Sequence, residues 1–395
     1  MNALIDLRTK KDVELYEAIQ NLYEEPLNVI RLGEQPITAC IGCWNCWLKT
    51  PGRCVMKDQT SELYRDYVNS HTVILLMDTA QGFINHQAKA FLDRTIPHYH
   101  PYIEMVDGEC HHAARYERYP DMVFYYDAKE LTKNEEQIIE DYLYRTAYHF
   151  KSNAYRILKD GSLQLRLLES RKAKNQTAPF GSTEPIEKLV IYNGSPRRSG
   201  SNSVLILAKV AEALGDRVEI RDLKERDRWD EWAESFKNEK DVLLFMPLYV
   251  HAMPSHVMGF IEKLQPSEGS ISFFVQSGFP ESSQSHYLEA YFEQLALRLG
   301  RAYLGTAIKG GMEGLQMRPP AAQEKMMEPL VKTIVDLTRE GSFNTVDISR
   351  LARPVRFGKG IVILYNLFGK RVSNYFWDQQ LKANNAYTMR FDRPY

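Results

Sequence analysis

Apolar positions along this chain fall into short continuous runs, each followed by a stretch with helical spacing. Residues 72–77, Thr72-Val73-Ile74-Leu75-Leu76-Met77, form one such run, and residues 188–192 and 241–246 form two more. Runs this short, bounded by polar residues, read as buried strands. Ile84, Ala88, Phe91 and Leu92 then recur at helical spacing after the first run, as do residues 204–210 and 255–264 after the others. A longer helical pattern covers 133–150, through Ile138, Ile139, Tyr142, Leu143 and Ala147. Strands alternating with helices predict parallel sheets covered on both faces.

The two halves can be laid over each other. Ala3 to Leu7 matches Leu189 to Asn193, Leu27 to Leu32 matches Val218 to Leu223, and Met77 to Gln81 matches Met246 to Val250. The period is far longer than that of any solenoid repeat, so the expectation is a tandem duplication of one α/β domain. The expected division is a first domain at 1–172, a polar linker at 173–187 with two prolines and a glycine, a second domain at 188–345, and a C-terminal arm at 346–395. The arm is rich in arginine and aromatics and belongs to no strand–helix unit. Its apolar run at 360–369 is too short to span a bilayer, and it is expected to pack on the duplicated body or on a second chain.

Composition narrows the classes. Lys+Arg 50 against Asp+Glu 51 leaves no bulk electrostatic argument for a nucleic-acid partner. The N-terminus lacks a basic region followed by a long apolar stretch, and no apolar window reaches eighteen residues. No signal peptide, no membrane and a cytoplasmic location are therefore expected. Four of the five cysteines crowd into one short segment, which points to metal or redox chemistry in a reducing compartment.

The segment Asn193-Gly194-Ser195-Pro196-Arg197-Arg198-Ser199-Gly200-Ser201-Asn202-Ser203 links an apparent strand to a helix start. N–H groups at a helix N-terminus carry partial positive charge and attract an anion. Ser195, Ser201, Ser203 and Asn202 add donors, and Arg197 adds charge. Five residues separate Gly194 from Gly200 and no Lys-Ser/Thr pair follows, so this is not an ATP-type loop. It suits the terminal phosphate of a small cofactor; the alternative is an ordinary Ser/Gly turn.

Cys40-x2-Cys43-x2-Cys46-x7-Cys54 resembles the cluster-binding runs of ferredoxins. A [4Fe–4S] cluster, a zinc ion, or structural thiols without metal all fit this spacing. His98, His100, His111 and His112, with Cys110 beside them, read either as packing or substrate-contact groups or as metal ligands. No nucleophile–base–acid arrangement stands out, so no catalytic side chain is assigned. That suits chemistry carried by a cofactor.

From Asn193 to Ser203, Met246-Pro247-Leu248-Tyr249-Val250-His251, residues 260–264 and Val275-Gln276-Ser277-Gly278-Phe279-Pro280-Glu281, the second half resembles the flavodoxin-like NAD(P)H-dependent FMN reductases. The first half, through Cys40 to Cys54, Asp58 and residues 91–94, resembles the iron–sulfur flavoprotein branch of that superfamily. The resemblance implies two flavodoxin-like doubly wound parallel-sheet domains in tandem. It implies that the first loop holds the FMN phosphate and that Pro247, Leu248, Tyr249, Val250, Gln276, Ser277 and Gly278 flank the isoalloxazine, although Tyr249 also reads as a core aromatic. Cys40, Cys43, Cys46 and Cys54 would be the metal ligands. The first half departs at its phosphate loop, Asp6-Leu7-Arg8-Thr9-Lys10-Lys11-Asp12, where acidic residues oppose an anion, so one FMN per chain is expected.

The expected function is an FMN-dependent NAD(P)H oxidoreductase. It would pass electrons to a quinone, a nitro or azo compound, a flavin or a protein, with an iron–sulfur relay as an option. The alternatives are a non-catalytic electron carrier and a regulatory protein with vestigial sites. Near-neutral charge favours the enzyme over an acidic carrier. The halves are expected to pair as an intramolecular pseudo-dimer, with further homodimerisation open.

Overall fold

A computed structural model describes residues 1–32, 35–159, 161–166, 168, 184–197 and 200–395. The chain divides into two compact units, Met1–Arg171 with Gly358–Tyr395, and Lys172–Phe357. Most of the expected linker at 173–187 lies outside the described residues. The segment expected as one arm is divided: 346–357 belong to the second unit and 358–395 to the first.

The second unit is built on a five-stranded sheet in the order Val218–Asp222, Leu189–Asn193, Asp241–Pro247, Ser270–Gln276, Ala302–Lys309. Every pair is parallel. Parallel strands bury both faces, which is why Leu243, Phe245, Phe273 and Phe274 are all fully enclosed. The first unit repeats the order with an added edge: Leu27–Arg31, Asn2–Asp6, Thr72–Met77, Asp121–Tyr126, Tyr155–Lys159, Ser162–Arg166. Only the last strand runs antiparallel. In both units the first strand lies between the second and the third, the doubly wound order of flavodoxin-like sheets.

The hydrogen bonds beyond the strand ends align the two units residue by residue. Leu7 N–H donates to Leu76 O at 2.9 Å, and Gly194 N–H to Phe245 O at 2.8 Å. Leu32 N–H donates to Asp6 O and Leu223 N–H to Asn193 O, both at 3.0 Å. Asp6 therefore stands where Asn193 stands. The sequence match that set Leu7 against Asn193 is one residue out of register, because composition along an apolar run does not fix which residue ends it. The other two matched segments keep their register.

Residues 358–395 form the helix Lys359–Leu364, a π-helical segment Tyr365–Gly369 and the helix Lys370–Ala383. Trp377 and Leu381 bury with Trp47, Tyr102 and Ala386 in one apolar cluster. The segment thus completes the core beside the cysteine loop.

Candidate functional site

Doubly wound sheets bind ligands beyond the strand C-termini, where the chain turns to opposite sides of the sheet. In the second unit that place lies between the ends of Leu189–Asn193 and Asp241–Pro247. Asn193 Oδ1 accepts from Ser195 N–H at 3.1 Å and so shapes the start of the loop. Gly194 is required by crowding: a Cβ there would lie 2.7 Å from Val257 Cγ2 and 2.9 Å from Met246 Cβ. Ser201 caps the helix Asn202–Leu214 by accepting from Val204 N–H, and its Oγ lies 2.8 Å from Ser195 Oγ. Ser195, Ser201 and Ser203 are all buried. Three buried hydroxyls at the positive end of a four-turn helix form a donor set suited to an anion. Arg197 bonds Gly200 O at 3.3 Å, which folds its guanidinium back along the loop.

The third loop touches the first. Gln276 Nε2 donates to Ser203 Oγ at 2.7 Å, while its buried Oε1 has no partner among the described residues. An unpaired buried carbonyl oxygen costs about 1–3 kcal/mol, so it marks a place where a donor belongs. Ser277 N–H and O bond Lys309 O and Met312 N–H, fixing Gln276, Ser277 and Gly278 beside the loop after the last strand.

The second loop is a tight two-residue turn. Tyr249 and Ala252 exchange both backbone hydrogen bonds, and Val250 and His251 between them have φ of 40° and 61°. A β-branched residue at positive φ is strained by about 1–3 kcal/mol, a cost that recurs at ligand-binding loops. Tyr249 is partly exposed at this turn, not enclosed in the core. The first unit makes the same turn with Gln81 and Gly82, at φ of 50° and 76°.

Glu313 was missed in the sequence. It lies in Gly310-Gly311-Met312-Glu313-Gly314, where Gly310 leaves no room for a Cβ against Pro280 O. Its side chain abuts Gly278, and Asn202 Nδ2 donates to the neighbouring Met312 O. Burial pushes the Glu313 carboxyl up to about 7, against the pull of Arg197. The glycine-rich strand exit was the available signal. Because the folded carboxyl holds its proton to higher pH than an unfolded one, its contribution to stability is complete below the ordinary carboxylate range and is lost as pH rises through about 7. Above that pH a carboxylate faces the anion loop. Affinity of this loop for a phosphate monoester, relative to that of Glu313→Gln, is expected to fall about tenfold from pH 6 to pH 8, measured with FMN as the probe by fluorescence titration.

In the first unit the equivalent loop is filled by the protein's own charges. Asp6 Oδ1 accepts from Arg8 N–H at 3.0 Å and from Arg8 Nε at 2.9 Å, and Asp6 also bonds the Tyr16 hydroxyl. Asp78, where the second unit has Pro247, accepts from Thr9 N–H at 2.8 Å and Thr9 Oγ1 at 2.9 Å. Donors that could serve a phosphate thus serve carboxylates.

The cysteine loop winds through left-handed residues at Gly42, Trp44 and Gly52. Cys43 is exposed, and Cys40, Cys46 and Cys54 are half-buried. Burial pushes the Cys40 thiol up to about 12, with Asp93 adding to the shift, and raises Cys46 well above the usual range, with Cys40, Cys54 and Cys43 all contributing. Arg94, fully buried and paired with Asp58, points Nη2 at Cys54 Sγ at 3.5 Å. Over this loop lie residues from the far end of the sequence: a Cβ at Gly52 would strike Pro394 Cδ at 2.7 Å, and Arg115 donates to Arg390 O and Asp392 O.

The histidines divide. His98 is enclosed, stacked on Tyr67 at 5.1 Å with Tyr64, Tyr116 and Tyr395 edge-on, and burial pushes it down to about 3. Among the described residues, metal-type ligand atoms converge within 4.8 Å at Glu109, His111 and His149. Arg145 already bonds Glu109 Oε2 at 2.9 Å and His149 Nε2 at 2.6 Å, so a guanidinium fills the place of a cation.

No family model matches the chain, and no curated protein matches its sequence. Among solved structures it is similar to an NADPH-quinone reductase from P. pentosaceus, at 14% identity and a TM-score of 0.29 over 36% of this chain and 94% of that one. It is also similar to general stress protein 14 in complex with FMN from Treponema denticola, at 14% identity and a TM-score of 0.31 over 38% and 97%. An FMN-dependent NADH-azoreductase from Bacillus anthracis in complex with FMN matches at 13% identity and a TM-score of 0.30 over 38% and 99%. Strand order and pairing within each unit define the class as flavodoxin-like α/β.

Proposed function

We propose that this chain is an FMN-dependent NAD(P)H oxidoreductase with one FMN site, in the second unit. The observation that carries the reading is the buried hydroxyl set of Ser195, Ser201 and Ser203 at a helix N-terminus, beside a buried Gln276 oxygen with no donor among the described residues. A phosphate monoester fits the first feature, and a ring N–H of a flavin fits the second. The residues that would hold FMN are Ser195, Arg197, Ser201, Asn202 and Ser203 at the phosphate. Pro247, Leu248, Tyr249, Val250, Gln276, Ser277 and Gly278 would surround the ring. The chemistry supplied by bound FMN is acceptance of hydride from NAD(P)H and delivery of electrons to a quinone, nitro or azo compound, flavin or protein. The protein's part is to position the ring against the strained turn at Val250 and His251, and to keep the phosphate in a pocket of fixed dipoles.

Cys40, Cys43, Cys46 and Cys54 would hold a [4Fe–4S] cluster in the same reading. The Cys40 and Cys46 thiols, raised by burial and by neighbouring charges, need a strongly cationic centre to ionise them, and the buried Arg94 beside Cys54 offsets part of the charge that four thiolates add. The common strand order and matching strand-end hydrogen bonds support descent of both units from one duplicated domain.

The test is anaerobic purification, FMN reconstitution and NAD(P)H oxidation with a benzoquinone acceptor. Turnover is expected. FMN retained without NAD(P)H oxidation would leave an electron carrier instead. Cys43→Ser with Cys46→Ser should remove iron and acid-labile sulfide while leaving FMN content unchanged; equal iron in both proteins removes the cluster from the reading.

A further inference from the structure

The C-terminal segment of the first unit presents an apolar ridge that the flavin reading does not use. Ile361, Leu364, Leu367, Phe368, Val372 and Tyr375 are each between 51% and 74% exposed. The opposite side is anchored. The Tyr365 hydroxyl lies 2.7 Å from Ser373 Oγ and donates to Ile103 O at 3.3 Å, Asn374 Oδ1 accepts from Ile103 N–H at 3.4 Å, and Trp377 is buried against Trp44 and Trp47. With one side fixed, the other is held outward in a defined orientation. Gly369 permits this: a Cβ there would lie 2.7 Å from Tyr365 Cδ2. Leu364, Leu367 and Phe368, spaced as i, i+3 and i+4, share one exposed side of the segment.

The segment itself is basic. Lys359, Lys370 and Arg371 are exposed along it. Between residues 358 and 377 the sequence contains no Asp or Glu. The next acidic residue, Asp378, accepts from the Tyr102 hydroxyl at 2.6 Å. A two-fold pairing of this segment with its own copy would set Lys359, Lys370 and Arg371 against cations of the same segment. An interfacial helix with leucine and phenylalanine on one side and lysine and arginine at its flanks is suited to the headgroup region of an anionic bilayer.

We infer that residues 359–375 dock the protein on the surface of an anionic membrane, with the apolar ridge entering the headgroup boundary and Lys359, Lys370 and Arg371 meeting lipid phosphates. Among the described residues no helix is long and apolar enough to cross a membrane. The inference stands apart from the flavin reading.

The test uses the full chain and vesicle flotation. Binding is expected to vesicles of equal parts phosphatidylglycerol and phosphatidylcholine, and to be at least about tenfold weaker on phosphatidylcholine alone and at high salt. Leu367→Glu with Phe368→Glu should abolish binding. Lys370→Glu with Arg371→Glu should weaken it about tenfold or more. These positions are exposed, so circular dichroism and melting temperature should match the native chain. Three results would each overturn the inference: no flotation with anionic vesicles, equal flotation of the variants, or a concentration-dependent dimer that Leu367→Glu with Phe368→Glu converts to monomer. The last would assign the ridge to a second copy.

Discussion

Ser195→Glu will lose FMN binding by at least about a hundredfold in a fluorescence titration, because it sets a carboxylate against the cofactor phosphate. Ser195 is buried, and its Oγ is 2.8 Å from Ser201 Oγ. Two like charges about 4 Å apart repel by ~4 kcal/mol near a protein surface, enough for that loss. Ser195→Ala, which removes one donor and adds no charge, should cost about tenfold or less. Thr9→Glu is the control in the first unit. It places a second carboxylate near Asp78, which already takes the Thr9 N–H and hydroxyl, so it should lower stability slightly and leave FMN content unchanged. Equal FMN loss in Thr9→Glu and Ser195→Glu would overturn the assignment of one FMN to the second unit. The closer structural counterpart of Ser195 is Arg8, whose guanidinium is folded onto Asp6; replacing it would leave that fully buried carboxylate with only Arg31 and the Tyr16 hydroxyl as side-chain partners among the described residues, so it is the poorer control.

Trp377→Ala should be the most damaging substitution outside the flavin loop. The indole is 3% exposed and lies edge-on to Trp44 and Trp47, each at 5.5 Å between ring centroids, with Phe376 at 5.2 Å. Removing a buried tryptophan of this kind costs about 3–5 kcal/mol. The expected readout is a lower unfolding temperature, changed tryptophan emission from Trp44 and Trp47, and faster alkylation of Cys46, whose side chain packs against the same cluster. Unchanged melting and unchanged thiol reactivity would show that the C-terminal segment does not support the cysteine loop. Trp377→Phe should restore most of the stability, since the edge-on packing needs an aromatic ring.

Several features were legible before any coordinates. The runs at 72–77 and 241–246 became strands Thr72–Met77 and Asp241–Pro247, because a continuous apolar run is what a doubly covered parallel strand requires. The pattern at 133–150 became the helix Lys133–His149, started by a capping box between Thr132 and Glu135. The segment at 346–395 was illegible as an element. Its apolar residues at 361–365 run on continuously, which masks a helical period, and a π-helical turn follows at Tyr365–Gly369. Its partners Tyr102, Ile103 and Arg115 are more than two hundred residues away in the sequence.

By itself the sequence determined the alternation of strands and helices, the repetition of one plan, the small-residue loop after Asn193 and the crowding of thiols between Cys40 and Cys54. These are local properties, set by period, side-chain volume and turn chemistry. The tertiary structure alone decided that Asp6, not Leu7, is the counterpart of Asn193, since only strand pairing fixes register. It also brought Glu313 near Arg197 of the loop after Asn193, where burial, and not any neighbouring residue in sequence, raises its carboxyl. It set Asp78 on the Thr9 donors and returned residues 358–395 to the first unit to complete the core around Trp47. Each of these depends on which distant groups share a desolvated space, and that is a property of packing and not of sequence order.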